Sequence, residues 1–155
     1  MSLPNITIAT SVRYGNYKEH YQNALTFVDI VTKSYKNIKE FVKLPRNIFI
    51  HLRPVRDAHG RAFYLKSETG SSTKDYIVEL DVRQDIDTFK NTFIHELIHI
   101  EQFYQGRLKE AGPMHFKWNG KKMLIIVSDL DLYNALPWEI EANTRADILF
   151  KVVYE

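Results

Sequence analysis

His95 and His99 stand four positions apart, with Glu96 directly after the first, in the run NTFIHELIHIEQFYQG (91–106). An α-helix turns about 100° per residue, so positions i and i+4 share a face one turn apart. On a helix the two imidazoles can offer nitrogens to one ion, and zinc accepts neutral imidazole at about 2.0–2.1 Å. Glu96 flanks that site, where its carboxylate can take a proton from a metal-activated water. The segment HELIH thus supplies two ligands and a general base for hydrolysis. The competing reading is an amphipathic helix with two incidental histidines, and the pentapeptide alone does not separate the two.

A third ligand would. Catalytic zinc typically takes three protein ligands and keeps one position open. In the metzincin pattern a Gly and a third His follow at fixed spacing, but Gln102 and Gln105 occupy those positions. The chain has no cysteine, so thiolate ligands, a thiolate nucleophile and a disulfide framework are all excluded. A carboxylate from a later helix remains. The segment PWEIEAN (137–143) offers Glu139 and Glu141. Two positions apart on a helix, they point about 200° away from each other, so only one can face the metal. The other suits a solvated first-turn acid, favoured by the helix dipole. Asn143 shares a face with Glu139 and can orient a ligand histidine from behind.

The elements that must hold these residues read as follows. NITIAT (5–10) suggests a short strand. From Tyr17 to Lys43 apolar residues recur at helical spacing (Tyr21, Leu25, Val28, Val31, Ile38, Val42), and Pro45 stops the run. NIFIHLR (47–53), RAFYLK (61–66) and DYIVELD (75–81) read as strands, the last two forming a hairpin around SETGSST. The central helix starts at Asp85 or Asp87 as N-cap and stops at Gly106. Phe89, Phe93, Leu97, Ile100 and Tyr104 form its core stripe. His95, His99 and Gln102 fall on a second stripe that can line a cleft, and Glu101 falls on the outer part. Asn119-Gly120 marks a two-residue hairpin within 114–127, and Pro137 opens a C-terminal helix. The order predicts one α+β domain over 1–155, a small mixed sheet without alternating βαβ units.

HELIH followed by a Glu-x-x-x-Asn helix resembles the gluzincin class of zinc metallopeptidases. The likeness is to its minimal members, in which a backing helix, a small sheet, an active-site helix and a glutamate helix make the whole domain. EIEAN is similar to the E-x-x-A-D element of membrane-linked zinc proteases and to the E-x-E-A-N element of phage-repressor-cleaving ones. The run from HELIHIEQFYQGRL to LPWEIEAN also looks like small phage and bacterial proteins assigned as zinc peptidases. The resemblance covers roughly residues 76–150. It implies a zincin-like fold with Zn2+ held by His95, His99 and Glu139, and Glu96 as catalytic base. It places Asn143 where those proteases carry Asp, a departure to a weaker acceptor. It implies a peptide or protein substrate lying along an outer strand, for which DYIVELD is the expected edge. Tyr133, His115 and Tyr104 are the available oxyanion donors. The alternative is a non-catalytic zincin-like module, a binding or phage accessory protein with a structural metal.

The remaining features have plainer readings. Of 155 residues, 45% are hydrophobic and 26% charged, and the net charge of +2 does not argue for nucleic acid or a membrane surface. The N-terminal segment lacks the charged and apolar regions of a signal peptide, and with no cysteine the expectation is a cytoplasmic protein. His20, His51 and His59 read as structural or solvated. Lys33, Lys36, Lys39 and Lys43 read as a solvated helix face, and Trp118 and Trp138 as packing residues, with Trp138 beside Pro137 anchoring the last helix.

Overall fold

The structure, a computed structural model, describes residues 5–10, 18–66, 74–125 and 130–155. The expected turn at SETGSST, the helical start at Tyr17, and the side chains of His20 and Tyr21 lie outside the described residues. The chain runs β1 (Asn5–Thr10), α1 (Lys18–Ile38), β2 (Asn47–Arg53), β3 (Gly60–Lys66), β4 (Lys74–Asp81) and α2 (Ile86–Tyr104). It continues through β5 (Leu108–Glu110), β6 (His115–Trp118), β7 (Lys121–Leu124), α3 (Leu130–Asn134) and α4 (Pro137–Tyr154). This is an α+β architecture with a mixed four-stranded sheet. Among the described residues no helix is long and apolar enough to cross a membrane.

The sheet order is β1-β2-β4-β3. β1 pairs parallel with β2, β2 parallel with β4, and β3 antiparallel with β4. Two expectations are corrected here. β1, α1 and β2 form a βαβ unit, because parallel neighbours need a crossover and α1 supplies it. The DYIVELD strand is interior, bonded to β2 on one side and β3 on the other, so the edge nearest α2 is β3. The reason is burial. β4 alternates Tyr76, Val78 and Leu80 inward, in register with Ile48, Ile50 and Leu52 of β2, and all six are buried. β3 carries a weaker pattern, with Tyr64 its buried member.

α2 packs on this inner face and is also covered by α1 and α4. Phe89, Phe93, Leu97 and Ile100 are fully buried as expected, and Phe27 of α1 stacks on Phe89 at 4.0 Å between centroids. Ile94 and Ile98 are equally buried, because α4 covers the face that the stripe leaves open. Tyr104, expected in the core, is half exposed at the helix end and meets Tyr76 edge-on. Leu25 is likewise exposed, while Phe27 and Tyr35 bury instead. α1 stops at Ile38 rather than near Lys43, closing with a turn in which the Phe41 and Val42 amides donate to the Ile38 carbonyl.

The ends of α2 follow from local chemistry. Asp85 is the N-cap, accepting from the Thr88 amide at 2.8 Å. At the other end Gly106 takes φ 72°, its amide reaching the Phe103 carbonyl and that of Arg107 the Gln102 carbonyl. That pair is a Schellman end. It turns the chain so that Arg107 lies back along the helix. Asn119 and Gly120 both have positive φ, as a type I′ hairpin requires, between β6 and β7. The hairpin gains a third strand, β5, too short for a sequence pattern to show.

Candidate metal centre

α2 and α4 bring His95, His99 and Glu139 together. Pro137 fits the first turn of α4, whose N-cap is Leu136 without a side-chain cap. Trp138 is buried against Phe116 and Trp118 of the small sheet, with ring centroids at 5.9 and 6.1 Å. That anchor fixes the first turn of α4, and Glu139, one residue on, points at α2. Its carboxylate also sits at the positive end of the helix dipole.

The donor atoms form a small triangle. His95 Nε2 and His99 Nε2 are 3.0 Å apart. Glu139 Oε2 is 3.2 Å from His95 Nε2, and Glu139 Oε1 is 3.0 Å from His99 Nε2. Donors bonded tetrahedrally to zinc at about 2.0–2.1 Å stand about 3.3 Å apart, close to these separations. His99 and Glu139 are buried and His95 is partly so. Two imidazoles and one carboxylate are also a common catalytic zinc set. The group can therefore hold a metal ion, and no other group of three such side chains comes together among the described residues.

The electrostatics match a site built for positive charge. Burial opposes ionisation of Glu139, but hydrogen bonds and charge from both histidines hold its carboxyl well below the usual range. Burial would push the His99 imidazole down; the Glu139 hydrogen bond, the charges of Glu139 and Glu96 and the Gln102 bond outweigh it and raise it to about 9. Glu96 is buried, and burial pushes its carboxyl up despite the two histidines, with the Glu139 charge acting in the same direction.

Glu96, His95, His99 and Glu139 line one cleft of about 1130 Å3. One of its walls is the start of β3, from Gly60 to Phe63. That strand is pinned to the helix. The His59 carbonyl accepts from the Asp81 amide and from Gln84 Nε2, and Gln84 Oε1 accepts from Thr92. Gly60 leaves no room for a side chain: a Cβ there would lie 2.7 Å from Thr92 Cγ2, 3.0 Å from the Glu79 carbonyl and 3.1 Å from Glu96 Cγ. Two of those neighbours, a β-branched methyl on a helix and a backbone oxygen, cannot swing aside. Gly60→Ala is expected to lower stability by about 1–3 kcal/mol through overpacking. It should also disturb Glu96 while leaving zinc content intact, as denaturant unfolding and metal analysis would show.

Of the three expected oxyanion donors, Tyr133 lines the cleft, with Glu139 near enough to act on its hydroxyl. Burial, then the Glu139 charge, pushes its hydroxyl well above the usual phenol range, so it keeps its proton. His115 Nδ1 instead donates to the Pro113 carbonyl at 2.8 Å. Asn143 is exposed on the cleft wall rather than behind a histidine. His59, read as structural or solvated, also borders the cleft.

Behind the triangle, Gln102 takes the place expected for Asn143: its Oε1 is 2.7 Å from His99 Nδ1. Glu141 is not a solvated acid, since it accepts from Gln102 and from Arg107. Nor is Glu101 on an outer face. It is buried, accepts the Lys43 amide at 2.6 Å and pairs with Arg145 and, at 3.5 Å, Arg107. The cause is α4, which covers that side of α2. Gln102 had a sequence signal, being three residues past His99 on the same stripe. Gly60 and Glu101 had none.

Compared with known proteins, the chain is matched by no family model, no curated protein and no solved structure.

Proposed function

We propose that the chain is a zinc-dependent peptidase with a zincin-like arrangement. The observation that carries this reading is the three-donor triangle of His95, His99 and Glu139 with buried Glu96 beside it, in a cleft walled by an edge strand. His95, His99 and Glu139 would hold the ion. A bound zinc supplies Lewis-acid polarisation of a carbonyl and lowers the pKa of water from 15.7 to about 7. Glu96, its carboxyl raised by burial, takes the proton of the attacking water and returns it to the leaving amine. Among the described residues β3 pairs with β4 alone, and its other edge, beside Glu96, offers backbone donors and acceptors to an extended peptide by strand addition. Tyr133 retains its proton and can donate to the developing oxyanion.

The test is metal binding and its pH dependence. Equilibrium dialysis should find about one zinc per chain. The ion must displace the proton that His99 holds up to about pH 9. Apparent affinity should therefore rise as pH rises, by about tenfold per unit below that value. Protein that takes up no stoichiometric metal when zinc is added would overturn the reading.

A further inference from the structure

Gln102 is fully buried on α2, and the peptidase chemistry above does not use it. A primary amide has two N–H donors and one carbonyl acceptor. Both donors are committed. Nε2 reaches the Trp138 carbonyl at 3.1 Å and Glu141 Oε2 at 2.8 Å. Those two partners can only accept, so the amide has one sensible orientation: flipped, its oxygen would face two acceptors. Oε1 is then the atom 2.7 Å from His99 Nδ1, and the proton between them belongs to Nδ1. A neutral His99 with its proton on Nδ1 has its lone pair on Nε2. That is the nitrogen 3.0 Å from Glu139 Oε1.

The support continues outward. Arg107 Nη1 donates to both Glu141 oxygens, at 3.0 and 2.8 Å. Arg107 is turned toward them by the Schellman end of α2, and its guanidinium lies 5.2 Å from the Trp118 ring centroid. Trp118 packs on Trp138, whose carbonyl closes the circuit at Gln102. The side chains that aim Glu139 from α4 are thus the same ones that orient His99 on α2.

We propose that Gln102, oriented by Glu141 and the Trp138 carbonyl, is a positioning residue that fixes His99 in its Nδ1–H form and so sets the metal affinity of the site. The proposal rests on the metal-centre reading above. It gives Glu141 a role of its own, as anchor of the amide rather than as a ligand.

The experiment compares zinc affinity, by competition with a chromophoric chelator at one pH, for three full-length proteins: wild type, Gln102→Met, and the exchange pair Gln102→Glu with Glu141→Gln. Methionine keeps the length and bulk of glutamine but removes the acceptor. The pair restores an acceptor facing His99 and a donor between the two positions. The buried carboxyl introduced at position 102 meets the Trp138 carbonyl, 3.1 Å from Gln102 Nε2 in wild type, as a protonated O–H donor. Gln102→Met should weaken zinc binding by about 10–100-fold, the usual effect of losing a histidine's supporting partner. The exchange pair should return to within a few-fold of wild type, a rescue that a mere packing role would not produce. Long-range proton–nitrogen spectra of zinc-loaded wild type should show His99 Nδ1 carrying a slowly exchanging proton, lost or fast-exchanging in Gln102→Met. Unchanged affinity in Gln102→Met, or a wild-type His99 without an Nδ1 proton, overturns this proposal and leaves the metal centre standing. A wild type that binds no zinc overturns both. Should Gln102→Met fail to fold, the exchange pair decides: near-wild-type affinity supports the proposal, and a loss beyond tenfold overturns it.

Discussion

Glu96→Gln should leave about one zinc per chain in place and lower peptide hydrolysis by about 10²–10⁴-fold, the usual contribution of a positioned general base. The substitution keeps the side chain's length and shape, so its Cγ still fills the space beside Gly60 that leaves no room for a Cβ, and the wall of the cleft stays put. It removes only the capacity to accept a proton. Burial raises the Glu96 carboxyl above its ordinary value, so the ionised form costs the folded state free energy. That stability is present at low pH and lost as pH rises through the folded-state value. Above it, chelator-treated Glu96→Gln should be at least as stable as treated wild type in denaturant unfolding. Hydrolysis of a peptide library at the wild-type rate by the variant would take the base role from Glu96. Zinc binding without any hydrolysis by wild type would instead favour a non-catalytic metal module.

How far the fold was legible depended on the range of the interactions. Asp85, Gly106 and Asn119-Gly120 act within a few residues, and the helix ends and the hairpin turn follow from them. The core stripe of Phe89, Phe93, Leu97 and Ile100 is also local, since periodicity reports one packed face. What it cannot report is a second packed face. α4 covers the opposite side of α2, so Glu101 becomes a buried carboxylate between two arginines although it looks like a surface charge. Strand order is a long-range property too. β4 became interior because β1 and β2 arrive by a parallel crossover on one side and β3 folds back on the other. Nothing in six residues of NITIAT announces that pairing.

The site shows the same division. The pairing of His95 with His99 is helical geometry, and the choice of Glu139 came from likeness to a motif in which the first glutamate faces inward. Its supporting partner was misplaced. Asn143 lies on the Glu139 face of α4, but that face opens on the cleft wall, whereas Gln102 is on the histidine helix and is packed beneath it. A partner for a buried ring is found where the ring is covered, and cover is set by the docking of two helices.

Glu139→Ala and Glu141→Ala should therefore differ sharply, although the residues are two apart. Glu139→Ala removes one of three donors, and zinc affinity should fall by well over the roughly 10–100-fold expected for a supporting contact. In chelator-treated protein the same change should lower the His99 pKa from about 9, because the hydrogen bond and charge of Glu139 head the causes that raise it. A titration of the His99 ring protons by NMR reads that directly. Glu141→Ala removes neither donor nor charge from the triangle. It frees one of the two Gln102 Nε2 protons, the other still reaching the Trp138 carbonyl, and leaves Arg107 with Gln105 at 2.9 Å and Glu101 at 3.5 Å. Its effect on zinc should stay within the supporting range, with the His99 pKa still raised. If Glu141→Ala abolishes zinc binding while Glu139→Ala spares it, the ligand assignment is wrong, and the triangle is a hydrogen-bonded cluster rather than a metal centre.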